Sequence, residues 1–235
     1  MSVLSDRQIA INARNHGMIE PFLGHEDQEA WKQEMGKETI SAGVTSYGYD
    51  ARLAPDVQML EHPLKPDDGS GASYFDHRVI DPKSFDPDLL RPIKPNPVTR
   101  AVTLPPHSFV LAHTIETFKI PRNVLVVCVG KSTYARCGLI VNVTPLEPEW
   151  EGQVTLEISN TTPVPANVYV GEGVCQMIFH TSADFKHEQV AEGWHNRHVF
   201  NTGGCSRSYA DKGGRYQHQE GIVTPTAERT VQATD

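Results

Sequence analysis

The sequence predicts a mainly β protein, and three observations predict it. From about residue 40 onward, β-branched residues gather in short runs. Turn-forming Pro and Gly separate those runs at close intervals. Pro105-Pro106 and Pro121 fall at run ends, where a residue that cannot donate to a central ladder belongs. Many short strands with frequent turns favour a sandwich or barrel.

The elements follow in order. Ser5-Asp6-Arg7-Gln8 reads as a capping box, with Ser5 as N-cap, Gln8 at the third helical position and Gly17 as the stop, so the first helix runs over 5–16. Glu26 to Met35 is polar and helix-prone, and Gly36 can end a second helix over 26–36. Candidate strands are 50–53, 56–60, 99–104, 108–117, 123–129, 139–143, 152–159, 166–170 and 173–180. The stretch 61–98, rich in Pro, Asp and Gly, reads mostly as loop.

A chain of 235 residues can build one substantial core. One domain is expected over 1–225, with 180–207 as an insertion and 226–235 as a frayed tail. A formal net charge of −8 argues against a nucleic-acid polymer as partner, because such binding needs a broad basic surface; a small phosphorylated ligand needs only local cations. Cys128, Cys137, Cys175 and Cys205 form no Cys-x-x-Cys pair, and three of them lie in strand-like runs, where buried thiols are the ordinary outcome. Met1 to Ile9 lacks the features of a signal peptide, and no apolar run is long enough to span a bilayer; a cytoplasmic protein without membrane partners is expected.

Residues 130–160 carry the most chemistry. Gly130-Lys131-Ser132-Thr133 is not a nucleotide-hydrolase P-loop, because the position that needs glycine is Leu125. A turn of Lys, Ser and Thr at a helix start still offers N–H groups, hydroxyls and a cation to phosphate oxygens, with Arg136 in reach; the same residues also suit an ordinary polar turn. In Val154-Thr155-Leu156-Glu157-Ile158, alternation sets Thr155 and Glu157 on one face and Leu156 and Ile158 on the other. If that face meets a pocket, desolvation raises the Glu157 pKa and suits it to take and return a proton. A solvated sheet face is the simpler alternative.

Zinc-dependent base deaminases need His-x-Glu followed by Pro-Cys-x-x-Cys, and neither is present. His187, His195 and His198 lie near Trp194 in a segment whose mixture reads as an exposed insertion rather than a metal site. The run from Tyr209 to Gln219 contains Gly213-Gly214, which permits a mobile turn, and Arg215, which could close over an anion; a flexible loop fits equally.

The segment Gly130 to Asn160 closely resembles the dCTP deaminases of the trimeric dUTPase superfamily. The similarity extends to His16–Phe22, Ser46–Asp50, Val79–Lys83 and Ser208–Gln219, in the same order along the chain. The resemblance implies a distorted jelly roll or β-barrel of the dUTPase-like type, a homotrimer with sites between subunits, and zinc-independent hydrolysis of dCTP to dUTP and ammonia. Mg²⁺ would be bound only through the substrate triphosphate, and dTTP would act as feedback inhibitor. By the same resemblance, Glu157 is the general acid/base, and Ser132 and Arg136 position water, base and phosphates. Lys131, Thr133, Tyr134 and Ala135 complete the phosphate turn, and Thr155 and Leu156 contact base or sugar through backbone. Gln176 is a triphosphate contact, and Tyr209, Arg215 and Gln219 belong to a C-terminal lid. The stretch from Phe179 to Tyr209 is longer than the family pattern.

Three other readings remain open. Glu147 sits where related enzymes carry Asp, so a bifunctional enzyme giving dUMP and pyrophosphate is the nearest alternative. A pure dUTPase would need a Gly-x-Ile-Asp-x-x-Tyr motif, and this chain has Thr144-Pro-Leu-Glu-Pro-Glu-Trp150 instead. A non-catalytic nucleotide-binding regulator could share the scaffold.

Overall fold

Ser5 accepts a hydrogen bond from the Gln8 N–H while the Gln8 side chain accepts from the Ser5 N–H, so the capping box forms as its sequence predicts. This computed structural model describes residues 2–36, 38–60, 79–181 and 216–225. The capped helix is α1 (Asp6–His16), preceded by β1 (Ser2–Val3). Gly17 ends it in the left-handed conformation, φ 65°, donating back to Ala13 and Asn12. After β2 (Ile19–Glu20) comes α2 (Gln28–Met35), shorter than the predicted 26–36, with Asp27 as an N-cap that makes no side-chain hydrogen bond.

The strands continue as β3 (Gly43–Thr45), β4 (Gly48–Arg52), β5 (Val57–Leu60), β6 (Leu90–Ile93), β7 (Ala101–Leu104), β8 (Phe109–Lys119) and β9 (Val124–Gly130). The four-residue α3 (Ser132–Ala135) separates β9 from β10 (Leu139–Asn142), and β11 (Glu151–Asn160), β12 (Ala166–Tyr169) and β13 (Gly173–Thr181) complete the set. All nine predicted strands are present. Of the stretch expected to be mostly loop, residues 61–78 lie outside the described residues, and 79–98 contain a 3-10 turn at Pro87–Leu89 and β6. Pro92 lies inside β6, and the strand tolerates it because β6 is the outer edge of its sheet.

In the first sheet β13 is central. It pairs with β9 along one side and with β1 and β4 along the other, and β3 adds to β4. The second sheet runs β10-β11-β8-β5-β6, with β2 also paired to β8. β7 and β12 form a separate ribbon. A bridge between Leu53 and Thr114 ties the two sheets together, another joins Val126 of β9 to Leu146 in the connection before β11, and one continuous core draws from both sheets. Tyr49, Phe179 and Met177 enter it from the first sheet and Phe118, Leu156 and Ile158 from the second. This is a distorted two-sheet β fold with a few short helices; the described strands do not close into a barrel.

One polar cluster interrupts the core. Glu116 is fully buried on β8, accepts from Arg52 Nε at 2.6 Å, from the Arg52 N–H at 2.9 Å and from the Tyr49 hydroxyl at 3.1 Å. Burial pushes its pKa up, and the Arg52 guanidinium opposes that push. Arg52 also donates to the Pro21 carbonyl, which fastens the segment after α1 to the sheet.

Among the described residues no helix is long and apolar enough to cross a membrane. Residues 182–215 and 226–235 lie outside the description. They include most of the expected insertion, His187, His195, His198, Tyr209, Arg215, the glycine pair and the tail.

Candidate functional site

β11 alternates as its sequence predicts. Val154, Leu156 and Ile158 are buried in the core, while Thr155 and Glu157 face outward and are only partly covered. The outward face is not open water. It forms part of a cleft of about 830 Å³, walled by Leu60, Phe109, Leu111, Glu147, Trp150 and Tyr216 among others. Glu157 and Leu111 are direct cross-strand partners, so an aliphatic side chain lies beside the carboxyl group.

Partial burial therefore pushes the Glu157 pKa up to about 7, against an opposing hydrogen bond from its own backbone. Its Oε2 is fully buried and has no hydrogen-bond partner among the described residues. An unpartnered carboxyl oxygen inside a cleft is an unusual expense for a fold to keep, and such groups are enriched where protons are moved.

The C-terminal segment closes one side of this cleft. β10 pairs only with the second half of β11, which leaves the edge of residues 151–155 free for another partner. Residues 216–223 take it. Gln153 N–H donates to the Gln219 carbonyl at 2.8 Å, Glu151 N–H to Gln217 Oε1 at 3.0 Å, and Trp150 Nε1 to the Tyr216 carbonyl at 2.9 Å. Gly152, at φ 149°, makes the approach possible, because a Cβ there would lie 2.6 Å from the Gln219 nitrogen. Gln219, assigned to a lid from sequence, thus sits in the cleft wall beside Thr155.

The predicted phosphate turn lies elsewhere. None of residues 131–136 lines the cleft. Ser132, Thr133, Ala135 and Arg136 are exposed on and after α3. Lys131 is largely buried and forms an ion pair with Asp50 of β4, which also accepts from the Ser41 hydroxyl at 3.3 Å. Tyr134 is buried, and its hydroxyl accepts from the Tyr169 N–H at 3.2 Å while burial pushes its pKa up. Lys131 and Tyr134 therefore pin the turn, and the exposed residues between and after them are its presented surface. Gln176 lies next to Val129 at the same end of the first sheet and donates to Thr45 Oγ1 at 3.3 Å. Leu156 is wholly buried, so only its backbone is available to a ligand.

Within one chain, then, Glu157, Thr155 and Gln219 come together in the cleft, whereas Ser132 and Arg136, on and after α3, and Gln176, on β13, do not line it. Tyr209 and Arg215 lie outside the described residues. Sequence reasoning assigned no role to Leu111, Trp150 or Tyr216 in the cleft, or to Asp50 as the partner of Lys131. Leu111 could have been found from the alternation of β8 against β11; the Lys131–Asp50 pair spans 81 positions and has no local signal.

Residues 3–182 match the family described as dCTP deaminase-like. The chain is 46% identical over 225 residues to the dCTP deaminase of Granulibacter bethesdensis, an alignment covering 96% of this chain and 99% of that protein. It is 45% identical over 227 residues to the dCTP deaminase of Acinetobacter baylyi, covering 97% and 100% respectively. Among solved structures, the 2'-deoxycytidine 5'-triphosphate deaminase from Agrobacterium tumefaciens resembles it in fold, with a TM-score of 0.53 at 19% identity. That likeness covers 80% of this chain and 51% of the other.

Proposed function

The chain belongs to the dCTP deaminase family, and from that premise we propose that it hydrolyses the 4-amino group of dCTP, releasing dUTP and ammonia. The observation that carries the reading is Glu157, a carboxyl group with a pKa of about 7 and a buried oxygen without a partner among the described residues, in a cleft of about 830 Å³. A group half protonated near neutrality can serve as base and then as acid within one cycle.

In the proposed mechanism Glu157 takes a proton from water as the oxygen attacks C4 of cytosine. It passes that proton to N3, then takes the second proton from the new C4 hydroxyl and delivers it to the departing nitrogen. The C4–N4 bond breaks and ammonia leaves, with the carboxylate restored. Leu111 and Trp150 keep bulk water off the reacting edge. Thr155 and Gln219 offer polar groups to the base or sugar, and the backbone of Leu156 adds to them. Mg²⁺ accompanies the triphosphate as part of the substrate.

We further propose that Ser132 and Arg136 reach this cleft from a neighbouring copy, in a homotrimer with sites between subunits. That none of residues 131–136 lines the cleft of their own chain supports it, because a triphosphate nucleotide needs both the acid and the turn. In that arrangement Thr133, Ala135 and the Lys131–Tyr134 backbone cradle phosphate, Gln176 extends the contact, and Tyr209 and Arg215 close over it. dTTP, which shares the deoxyribose and triphosphate, would compete at the same site as a feedback inhibitor. A cytoplasmic location is part of the same proposal.

A second reading has one observation in its favour. Glu147 lines the same cleft as Glu157, so a second carboxylate is available to activate water against the triphosphate, giving dUMP and pyrophosphate. One experiment separates the readings. The protein is incubated with dCTP, CTP, dCMP or dUTP plus Mg²⁺ and every product is identified. Ammonia with dUTP supports the deaminase; dUMP and pyrophosphate support the bifunctional enzyme; bound dCTP without turnover would reject both.

A further inference from the structure

The cleft is not uniform, and the acid sits at the boundary between its two halves. On one side lie the polar groups of Thr155 and of Gln219, which sits on the edge of β11 opposite β8. On the other the strand registers build a largely apolar floor, in which Gln58 beside Leu111 and Ser159 beside Phe109 are not part of the cleft lining. Glu157 pairs with Leu111 and Ser159 with Phe109 across β11 and β8. Gln58 pairs with Leu111 and Met59 with Val110 across β8 and β5, which brings Leu60 alongside Phe109, and Leu60 in turn pairs with Leu90 of β6. Leu111, Phe109, Leu60 and Leu90 all line the cleft, so the floor runs sideways from the carboxyl group across three strands.

A cytosine ring has the same division. C4 is flanked by N3, which must receive a proton, and by C5, which carries no polar group. With C4 held at Glu157 and the N3 edge turned to the polar side, C5 points along the apolar floor. The cleft, at about 830 Å³, is also larger than a cytosine nucleoside fills. Resting on the deaminase reading above, we propose that the enzyme accepts deoxycytidine triphosphates bearing a small apolar substituent at C5, and so converts 5-methyl-dCTP to dTTP. The chemistry balances as for the parent substrate. Water supplies the oxygen at C4, its protons go by way of Glu157 to N3 and the leaving nitrogen, the C4–N4 bond breaks, and ammonia and dTTP are the products. No oxidant or reductant takes part.

The test compares kcat/KM for 5-methyl-dCTP and dCTP in the full-length protein, with dTTP and dUTP resolved by chromatography. A pocket closed around unsubstituted cytosine rejects one extra methyl group by roughly 10–200-fold. The expected ratio for the open floor lies within about tenfold of unity. Stronger discrimination against 5-methyl-dCTP, with dCTP turned over normally, overturns the inference and leaves the deaminase reading standing. Turnover of neither substrate overturns both. Leu111→Phe and, as a second variant, Leu60→Phe should lower kcat/KM for 5-methyl-dCTP more than for dCTP. Equal effects on the two substrates in the variants that fold would remove the floor from its assigned role.

Discussion

Thr155 Oγ1 donates to Gln219 Oε1 at 3.0 Å, joining the strand that carries Glu157 to the C-terminal segment. The same hydroxyl accepts from the Val223 N–H at 3.3 Å, so one side chain holds the segment at two points. Docking of the segment and the arrangement of the acid's strand are thereby coupled through a residue two positions from the acid.

Thr155→Val removes both bonds while keeping a β-branched shape. Each is worth about 1 kcal/mol net. The C-terminal segment should be cut faster in limited proteolysis, with little change in global unfolding. Unaltered cleavage kinetics would mean that the hydroxyl does not hold the segment.

Gly152→Ala acts on the same contact by steric means, since the added Cβ would press on the Gln219 backbone. Amide exchange at His218 and Gly221 should rise sharply, while the amides of β8 and β13 keep their protection. KM for dCTP should rise with it. Slow exchange at both positions in this variant would contradict the packing described.

Glu157 should govern the pH response. As a base it must be ionised, so kcat/KM should climb through about pH 7. Glu157→Gln should abolish ammonia release while the fold persists. Stability carries the opposite sign. Because burial raises the folded-state pKa above the ordinary value of 4.5, the group favours folding below that value, and the advantage is lost as pH rises through about 7. Allowing for partial exposure, Glu157→Gln should be more stable than the parent by about 1–2 kcal/mol at pH 8 and no more stable at pH 4. Denaturant melts at the two pH values read this directly; a near-normal rate of ammonia release would take Glu157 out of the mechanism.

Asp50→Asn should loosen the phosphate turn, because Lys131 loses its largely buried counter-ion. The expected result is a fall of at least about tenfold in kcat/KM, carried mainly by KM, with a moderate loss of stability. An effect on stability alone would make the pair purely structural.

Arg52→Met leaves Glu116 buried without its cation. Removing one member of a buried pair costs about 3–5 kcal/mol, which equilibrium unfolding should show at neutral pH. The loss should shrink at low pH, where Glu116 becomes neutral. A change below about 1 kcal/mol would mean that the hydrogen bonds from Tyr49 and the Arg52 N–H suffice.

By itself the sequence determined the local features. The Ser5 cap, the Gly17 stop and the nine strands could be read because each is set by neighbours within a few residues, through hydrogen bonds, φ restriction or strict alternation. Alternation alone also set Glu157 and Thr155 on one face of β11. The two- and three-residue strands β1, β2 and β3 are too short to show a period, and β6 was hidden by a proline that only an edge position tolerates. Whether the Glu157 face met water or a cleft was decided by Leu111 arriving from β8, Leu60 from β5 and the C-terminal segment beside Gly152. The tertiary structure likewise set Lys131 against Asp50 and left Ser132 and Arg136 out of the lining of their own chain's cleft. These relations join residues tens of positions apart, and the free energy that fixes them comes from burial and pairing across strands, which no local window contains.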